Sequence, residues 1–449
     1  MIDSKVSRSN ILNKKILICT IESWNSKVGA NTFSTLFKDY PPENLANVYI
    51  REELPDSKCC ERYFQISEIK AFKSILNRKI KTGKEVESTK QVDADNENTI
   101  KISKNLYNAN RKRRSYFKLF IRELLWLLSK WKSKELDDFI NEFKPDIVLF
   151  GMEGYIHFNR ICRYIVKKTK AKAVGYFWDD NFTYKQMPNN IGRNALRFFQ
   201  RKSLKKLVGV TDSFWAITEK TKKEADEFFD IDCKVLTKPI DFEEDEKWTK
   251  NMIHQPIRML YTGNLLIGRF NVMKTISNAL DQINVDEPKI ILDIYTASYL
   301  ANEQINSLGN YVNVNEAVTQ EEVINLQKEA DVLLFVEAYN DENSKIARLS
   351  FSTKLTDYFH SGKCIFAVGD KDIAPIEYLI ENDAALCASS DAEILNCLNK
   401  IACDNDLMNY YGERSYNLGI NNHSRSKINK VINETFEEII GKSNESVAN

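Results

Sequence analysis

Short apolar runs separated by longer amphipathic stretches recur along this chain, and their alternation is its first structural signal. Lys15-Ile-Leu-Ile-Cys-Thr-Ile21 is a β-branched run with charge only at its entrance, which predicts a strand buried on both faces. Asp146-Ile-Val-Leu-Phe150, closed by Gly151, predicts a second. Ala171 to Phe177 predicts a third, ending on Trp178-Asp179-Asp180. Phe214 to Ile217 and Cys233 to Leu236 complete a first set. A second set comprises Ile257 to Tyr261, Lys289 to Tyr295, Tyr311 to Val314, Val332 to Val336 and Cys364 to Val368. Helices are predicted between them, among them Asn31 to Phe37, Lys118 to Phe143 and a last one from Ser424 to Ile440. Strands alternating with helices predict parallel sheets covered on both faces. The fold class is therefore α/β, with two Rossmann-like, doubly wound domains.

The turn Lys238-Pro-Ile-Asp241 leads into the polar stretch Phe242 to Gln255, and the domain boundary is placed there. The expected domains are residues 1–243 and 244–449, with the final helix packing back on the first. A polar insertion over residues 79–108 reads as a long loop. The first dozen and last nine residues read as loose polar ends.

Composition narrows the function classes. A chain of 449 residues can bury two cores, and 43% apolar with 28% charged residues is ordinary for a soluble protein. The net charge of +1 gives no global argument for a nucleic-acid partner. The nine scattered cysteines, without a C-x-x-C, suggest reduced thiols in a cytoplasmic protein. The four histidines have no partners at ligand spacing, so no metal site is predicted. No apolar run reaches roughly 18 residues, so no transmembrane helix is predicted. Charge does speak locally. Arg111, Lys112, Arg113, Arg114, Lys118 and Arg122 precede Leu124 to Leu128, and Lys130, Trp131 and Lys132 follow. Such a helix suits an anionic membrane surface; a core helix with a solvated basic start is the alternative.

The segment Ser350 to Gly369 carries the most chemistry. Ser350, Ser352 and Thr353 are good N-cap types before a predicted helix. A helix amino end is a ready anion site, to which Lys354 adds charge. Asp357 lies one turn beyond Thr353, and Gly362 permits a left-handed cap. The segment resembles the K-x-x-E-Y-x-x-x-G-K-P-I stretch of bacterial glycosyltransferases of family 4 and their relatives in glycosyl transferases group 1. Lys354 falls on the motif lysine, Asp357 on its acid, and Gly362 and Lys363 on its Gly-Lys pair. Leu260-Tyr-Thr-Gly-Asn-Leu265 resembles the Y-x-G-x-L motif opening the second domain of these enzymes, and Arg269 sits at about the spacing of a phosphate-binding cation. Val235 to Asp241 resembles their hinge segment, and Glu329 to Leu334 the strand before the donor loop. The likeness covers most of the chain from about residue 205; before that it is architectural.

The resemblance implies the GT-B fold, with two domains facing a cleft. It implies transfer of a sugar from a nucleoside diphosphate sugar to a glycan or lipid-linked acceptor, with retention, no obligatory metal and no cofactor beyond the donor. Surface polysaccharide synthesis at the inner face of the plasma membrane is the setting it suggests. Gly29, Gly263, Asn264, Arg269, Ser352, Thr353, Lys354 and Asp357 would line the donor site. The family's first glutamate is absent, since Arg348-Leu-Ser350 stands there; Glu337 and Glu342 are the candidate substitutes. Cys364 replaces a proline and is read as packing.

Ligands of open parallel sheets bind beyond the carboxyl ends of strands. That rule selects three loops of the first domain. Ser23 to Asn31 holds Gly29, Gly151 to His157 holds Glu153 and His157, and Trp178 to Tyr184 holds Asp179 and Asp180. His157 is a candidate sugar contact or a helix cap. Asp179 and Asp180 are candidates to orient an acceptor hydroxyl, or turn residues. Two other functions fit the same likeness: a sugar-nucleotide epimerase, and a degenerate nucleotide-sugar-binding subunit.

Overall fold

The computed structural model of the chain describes residues 13–25, 32–88, 116–186, 190–243, 246–339 and 342–447, with side chains to residue 441. These fall into two compact units. The first comprises Met1–Tyr184, Asn189–Leu236 and Asn429–Asn449, and the second Lys185–Pro188 and Thr237–Ile428. Gly29, residues 89–108 of the expected polar insertion, the basic run Arg111 to Arg114 and the first dozen residues lie outside the described residues.

The first unit carries an eight-stranded sheet of β1 (Ile16–Thr20), β2 (Leu45–Tyr49), β3 (Arg62–Ile66), β4 (Gly83–Val86), β5 (Ile147–Gly151), β6 (Lys172–Phe177), β7 (Ser213–Ala216) and β8 (Cys233–Val235). Their order is β4-β3-β2-β1-β5-β6-β7-β8. All neighbours are parallel except β3 and β4. The strands β2, β3 and β4 were not expected from the sequence. Asn47 and Gln65 break the apolar pattern, yet both are buried. Each donates to a backbone carbonyl: Asn47 Nδ2 to Ile18 O at 2.9 Å and Gln65 Nε2 to Arg51 O at 2.9 Å. Strand β4 also corrects the reading of residues 79–108 as loop throughout. Only Gly83 and Val86 of its four residues are buried, so its letters look polar.

A single helix over Lys118 to Phe143 was also expected. The chain instead forms Tyr116–Leu128 and Lys134–Phe143. The break has a local cause. Ser133 Oγ caps the second helix by accepting from Leu136 N at 3.2 Å, and Ser74 Oγ accepts from Lys130 N at 2.9 Å. The tryptophans read as membrane-facing turn inward. Trp126 and Trp131 are buried, and Trp126 Nε1 donates to Glu68 at 2.8 Å. Arg122, grouped with the basic face, is paired with the same Glu68 at 2.6 Å. What the helix Tyr116–Leu128 leaves exposed is a stripe of Phe117, Phe120, Leu124, Leu127 and Leu128. No described helix is long and apolar enough to cross a membrane.

The second unit is a six-stranded sheet, all neighbours parallel, of β9 (Ile257–Thr262), β10 (Ile290–Thr296), β11 (Val312–Glu316), β12 (Val332–Val336), β13 (Cys364–Val368) and β14 (Leu386–Ala388). Its order, β11-β10-β9-β12-β13-β14, is the doubly wound 3-2-1-4-5-6 pattern. Burial follows position in the sheet. The central β12 and β13 are buried throughout, β10 alternates, and the edge strand β11 is half exposed. The ladder between β9 and β12 joins only Val332 to Met259 and Leu333 to Leu260. Beyond those pairs the two strands part, which opens a crevice at the point where strand order reverses. The final helix spans Arg425–Val447, past its expected end, and its residues from Asn429 belong to the first unit. There Trp215 Nε1 donates to Thr435 at 3.0 Å and Phe37 stacks on Phe436.

One glycine in the second unit is demanded by its backbone. Gly362 ends the helix Thr353–Ser361 at φ 63°, and a methyl there would stand 2.7 Å from Trp248. Gly362→Ala should destabilise the protein by about 1–2 kcal/mol from the left-handed penalty alone. Gly441, with open space around it, should accept alanine without loss. Thermal melts of the two variants check this; equal melting would refute it.

Candidate functional site

The crevice between β9 and β12 gathers most of the expected donor-site residues of the second unit. Gly263 follows β9 directly, at φ 155°, and a side chain there would collide with the Lys354 ammonium. That ammonium lies 5.0 Å from the Tyr261 ring centre, a cation–π distance. Tyr261 in turn donates its hydroxyl to Asn264 O at 2.7 Å, which shapes the loop after Gly263. Lys354 is the second residue of the helix Thr353–Ser361. The N-cap of that helix, Ser352, makes no side-chain cap bond. The helix amino end thus lacks the side-chain cap that its sequence suggested, and a helix end of this kind is where an anion is best received.

Arg269 opens the helix Arg269–Ile283 and reaches back across the crevice. Its Nε donates to Val336 O at 3.0 Å, its Nη1 to Asn264 Oδ1 at 2.8 Å, and its Nη2 to both oxygens of Glu337 at 2.7 Å. A guanidinium has five N–H donors. These four contacts leave one Nη1 N–H for an incoming group. Glu337 is buried at the end of β12, and its own N–H bonds Val368 O at 2.8 Å. Of the two acids considered as substitutes for the missing motif glutamate, Glu337 stands in this crevice.

The charges explain the proton affinity of Lys354. Burial, then the nearby Arg269 cation, pulls it down to about 8; Glu337 acts in the opposite direction. The ammonium is thus an under-compensated cation, which an arriving anion would relieve. Asp357, one turn along the same helix, is held by Lys238 at 2.8 Å. Lys238 was part of the hinge-like segment Val235 to Asp241, and its link to Asp357 had no signal in the sequence. Lys238 and Asp357 lie 119 positions apart.

The first-unit candidates separate. His157 is 1% exposed and stacks on Trp126 with ring centres 4.6 Å apart. Its Nδ1 and the Glu123 carboxylate lie 2.9 Å apart, and the same carboxylate accepts from the N–H groups of Ile156 and His157. Burial lowers its proton affinity. This is a helix-capping and packing arrangement. Asp180 is 1% exposed and accepts from Thr183 N at 2.9 Å and from the Thr183 hydroxyl. Its carboxylate closes the turn after β6. Asp179 Oδ1 accepts from Asp180 N at 2.7 Å. Glu153, after β5, is the acid whose environment is most altered. Burial, then the charge of Asp179, pushes its carboxyl up to about 7. Among the described residues, no three His, Cys, Asp or Glu side chains gather closely enough to hold a metal ion.

Several solved structures share the fold over nearly the whole chain. A sucrose-phosphate synthase from Thermosynechococcus elongatus superposes with a TM-score of 0.61 at 10% identity, covering 96% of this chain and 100% of the other. HepE from Anabaena, in complex with UDP, gives 0.59 at 10% identity over 94% and 100%. An α,α-trehalose 6-phosphate synthase from Burkholderia multivorans gives 0.58 at 7% over 96% and 98%. No protein-family model matches the chain, and neither does any curated protein. The two Rossmann-like units are those of the GT-B fold of glycosyltransferases. At these identities the likeness establishes the fold.

The Arg269–Glu337 pair yields a direct test. Glu337→Gln leaves a poorly solvated guanidinium beside Lys354, and should cost about 3 kcal/mol of stability by denaturant unfolding. Millimolar inorganic pyrophosphate should restore part of that loss by taking the place of the carboxylate. A variant as stable as the parent, or one indifferent to pyrophosphate, would contradict this account of the crevice.

Proposed function

We propose that the chain is a glycosyltransferase. It takes a nucleoside diphosphate sugar in the second unit and passes the sugar to a hydroxyl of a glycan or lipid-linked acceptor. The observation that carries this is the crevice itself. Lys354, Arg269 and the uncapped helix end converge where β9 and β12 part, which is the charge pattern that a leaving diphosphate requires. A uridine diphosphate sugar is the favoured donor, because HepE, a fold relative, is a UDP complex. Asp357, at the motif acid, would meet the ribose hydroxyls after exchanging Lys238 for them. Retention, independence of metal and a role in surface polysaccharide assembly rest on the family-4 likeness of Ser350 to Gly369.

Donor binding tests the reading. UDP and UDP-glucose should raise the melting temperature of the full chain, and Lys354→Ala should abolish the shift. UDP affinity by calorimetry should fall as pH rises through about 8, where Lys354 loses its proton, by up to about tenfold per pH unit. Below that pH the ammonium is charged and the affinity should level off. A UDP affinity insensitive to Lys354→Ala would remove the assignment. Sugar turnover in the absence of any acceptor, giving an isomerised nucleotide sugar, would instead identify an epimerase.

We further propose that the enzyme works at an anionic membrane surface. The support is the outward stripe of the helix Tyr116–Leu128, with Phe117 72% and Leu127 57% exposed, directly after the basic sequence Arg111 to Arg114. Phe198 and Phe199 extend the apolar area, with Phe120 and Phe199 rings 6.2 Å apart. Co-sedimentation with phosphatidylglycerol vesicles should be strong and with phosphatidylcholine vesicles weak. Replacing Phe117 and Leu127 by serine should weaken it at least about tenfold, from the apolar burial lost. Equal sedimentation of parent and variant would rule the helix out.

A further inference from the structure

The first sheet has its own reversal of strand order, between β1 and β5, and a cavity of about 310 Å³ lies there. That is within the range of small-molecule pockets, at the place where doubly wound sheets bind ligands. Its described lining includes Thr20 and Glu22 after β1, Arg51 after β2, Glu153 and Tyr155 after β5, and Trp178 after β6. Gly151 is part of its construction, since a side chain on it would collide with the Trp178 indole. That indole is fixed edge-to-face by Phe33 and Tyr176, each with ring centres 5.2 Å away. It forms a rigid apolar wall, and its N–H is within reach of the Glu153 carboxylate. Opposite signs also meet in the lining, where Glu22 and Arg51 pair at 2.6 Å.

Wall and polar groups together have the character of a carbohydrate site. An aromatic face takes the C–H face of a pyranose, while carboxylates and a guanidinium exchange hydrogen bonds with its hydroxyls. The charge count decides which carbohydrate. The only described cation in the lining, Arg51, already faces Glu22, and Glu153 adds a second acid. The crowding is visible in Glu153, whose carboxyl is raised by burial, Asp179 and Glu22 in turn. A phosphorylated sugar would bring two more negative charges into this acid-rich space.

We propose that this cavity is the acceptor subsite, that it takes an uncharged pyranose against Trp178 with its hydroxyls on Glu153, Glu22 and Arg51, and that it rejects sugar phosphates. The proposal rests on the glycosyl-transfer reading and deepens it. It also separates this chain from the fold relatives named as sugar-phosphate synthases.

Saturation-transfer NMR on the full chain tests it, with methyl α-glucopyranoside, methyl α-galactopyranoside, methyl α-mannopyranoside and glucose 6-phosphate as probes. At least one neutral glycoside should show transfer and glucose 6-phosphate none. Trp178→Ala and the isosteric Glu153→Gln should each weaken the neutral signal about tenfold, the scale of one lost buried contact. UDP-induced thermal shifts should be the same in both variants as in the parent. The proposal is overturned if glucose 6-phosphate binds best, if no neutral glycoside binds, or if folded Glu153→Gln keeps the parent signal. A neutral glycoside signal without any UDP shift would instead overturn the donor reading and leave the subsite standing.

Discussion

The Lys354 ammonium, set against Gly263 where β9 and β12 part, is the constraint on which the second unit's chemistry depends. Placing an amine there costs solvation, which is why its proton affinity falls to about 8. Every neighbour answers to it. Position 263 has to be glycine, because a Cβ would occupy the ammonium's place. Tyr261 supplies an aromatic face beneath it. Arg269 is drawn away from it by Glu337 and Val336 O, so that two cations share a small space without meeting head-on. The result is a positive crevice with its own counter-charge in reserve.

The first unit spends its buried polar groups differently. Glu123 caps a helix and holds His157, Glu68 binds Arg122 and Trp126, and Asp180 closes a turn. Each of these carboxylates has a hydrogen-bond partner within the unit, as buried acids generally do. Other polar groups at the carboxyl ends of this sheet line open space. Glu153, named from the sequence in the loop Gly151 to His157, and Trp178, which opens the loop Trp178 to Tyr184, both do so.

Much of the fold was legible because its central strands are buried on both faces and so appear as unbroken apolar letters. Ile16–Thr20, Val332–Val336 and Cys364–Val368 are of this kind. Strands β2 and β3 were hidden by Asn47 and Gln65, whose partners are backbone carbonyls that no local pattern announces. The left-handed cap at Gly362 was readable, since it is a property of the chain's own turn. The pairs Arg269–Glu337 and Lys238–Asp357 were not, because they join residues 68 and 119 positions apart. In the same way, a spacing argument found Lys354 and Asp357 on one helix but could not say that one would meet a tyrosine face and the other a lysine. Whether an acid such as Glu153 lines a cavity or caps a turn is likewise settled by neighbours distant in sequence.

The borders of the two sheets carry a consequence of another kind. Strand β4 is four residues long, runs antiparallel to β3, and presents Lys84 and Glu85 outward. Strand β8 has three residues, with Lys234 tied to Glu438 of the final helix at 2.6 Å. Strand β14 also has three, and β11 exposes Asn313 and Glu316. An unpaired strand recruits another chain most readily when it is long, flat and apolar. These borders are short, charged or tied down, so the apolar interiors of both sheets stay closed to edge-to-edge aggregation when the protein is concentrated.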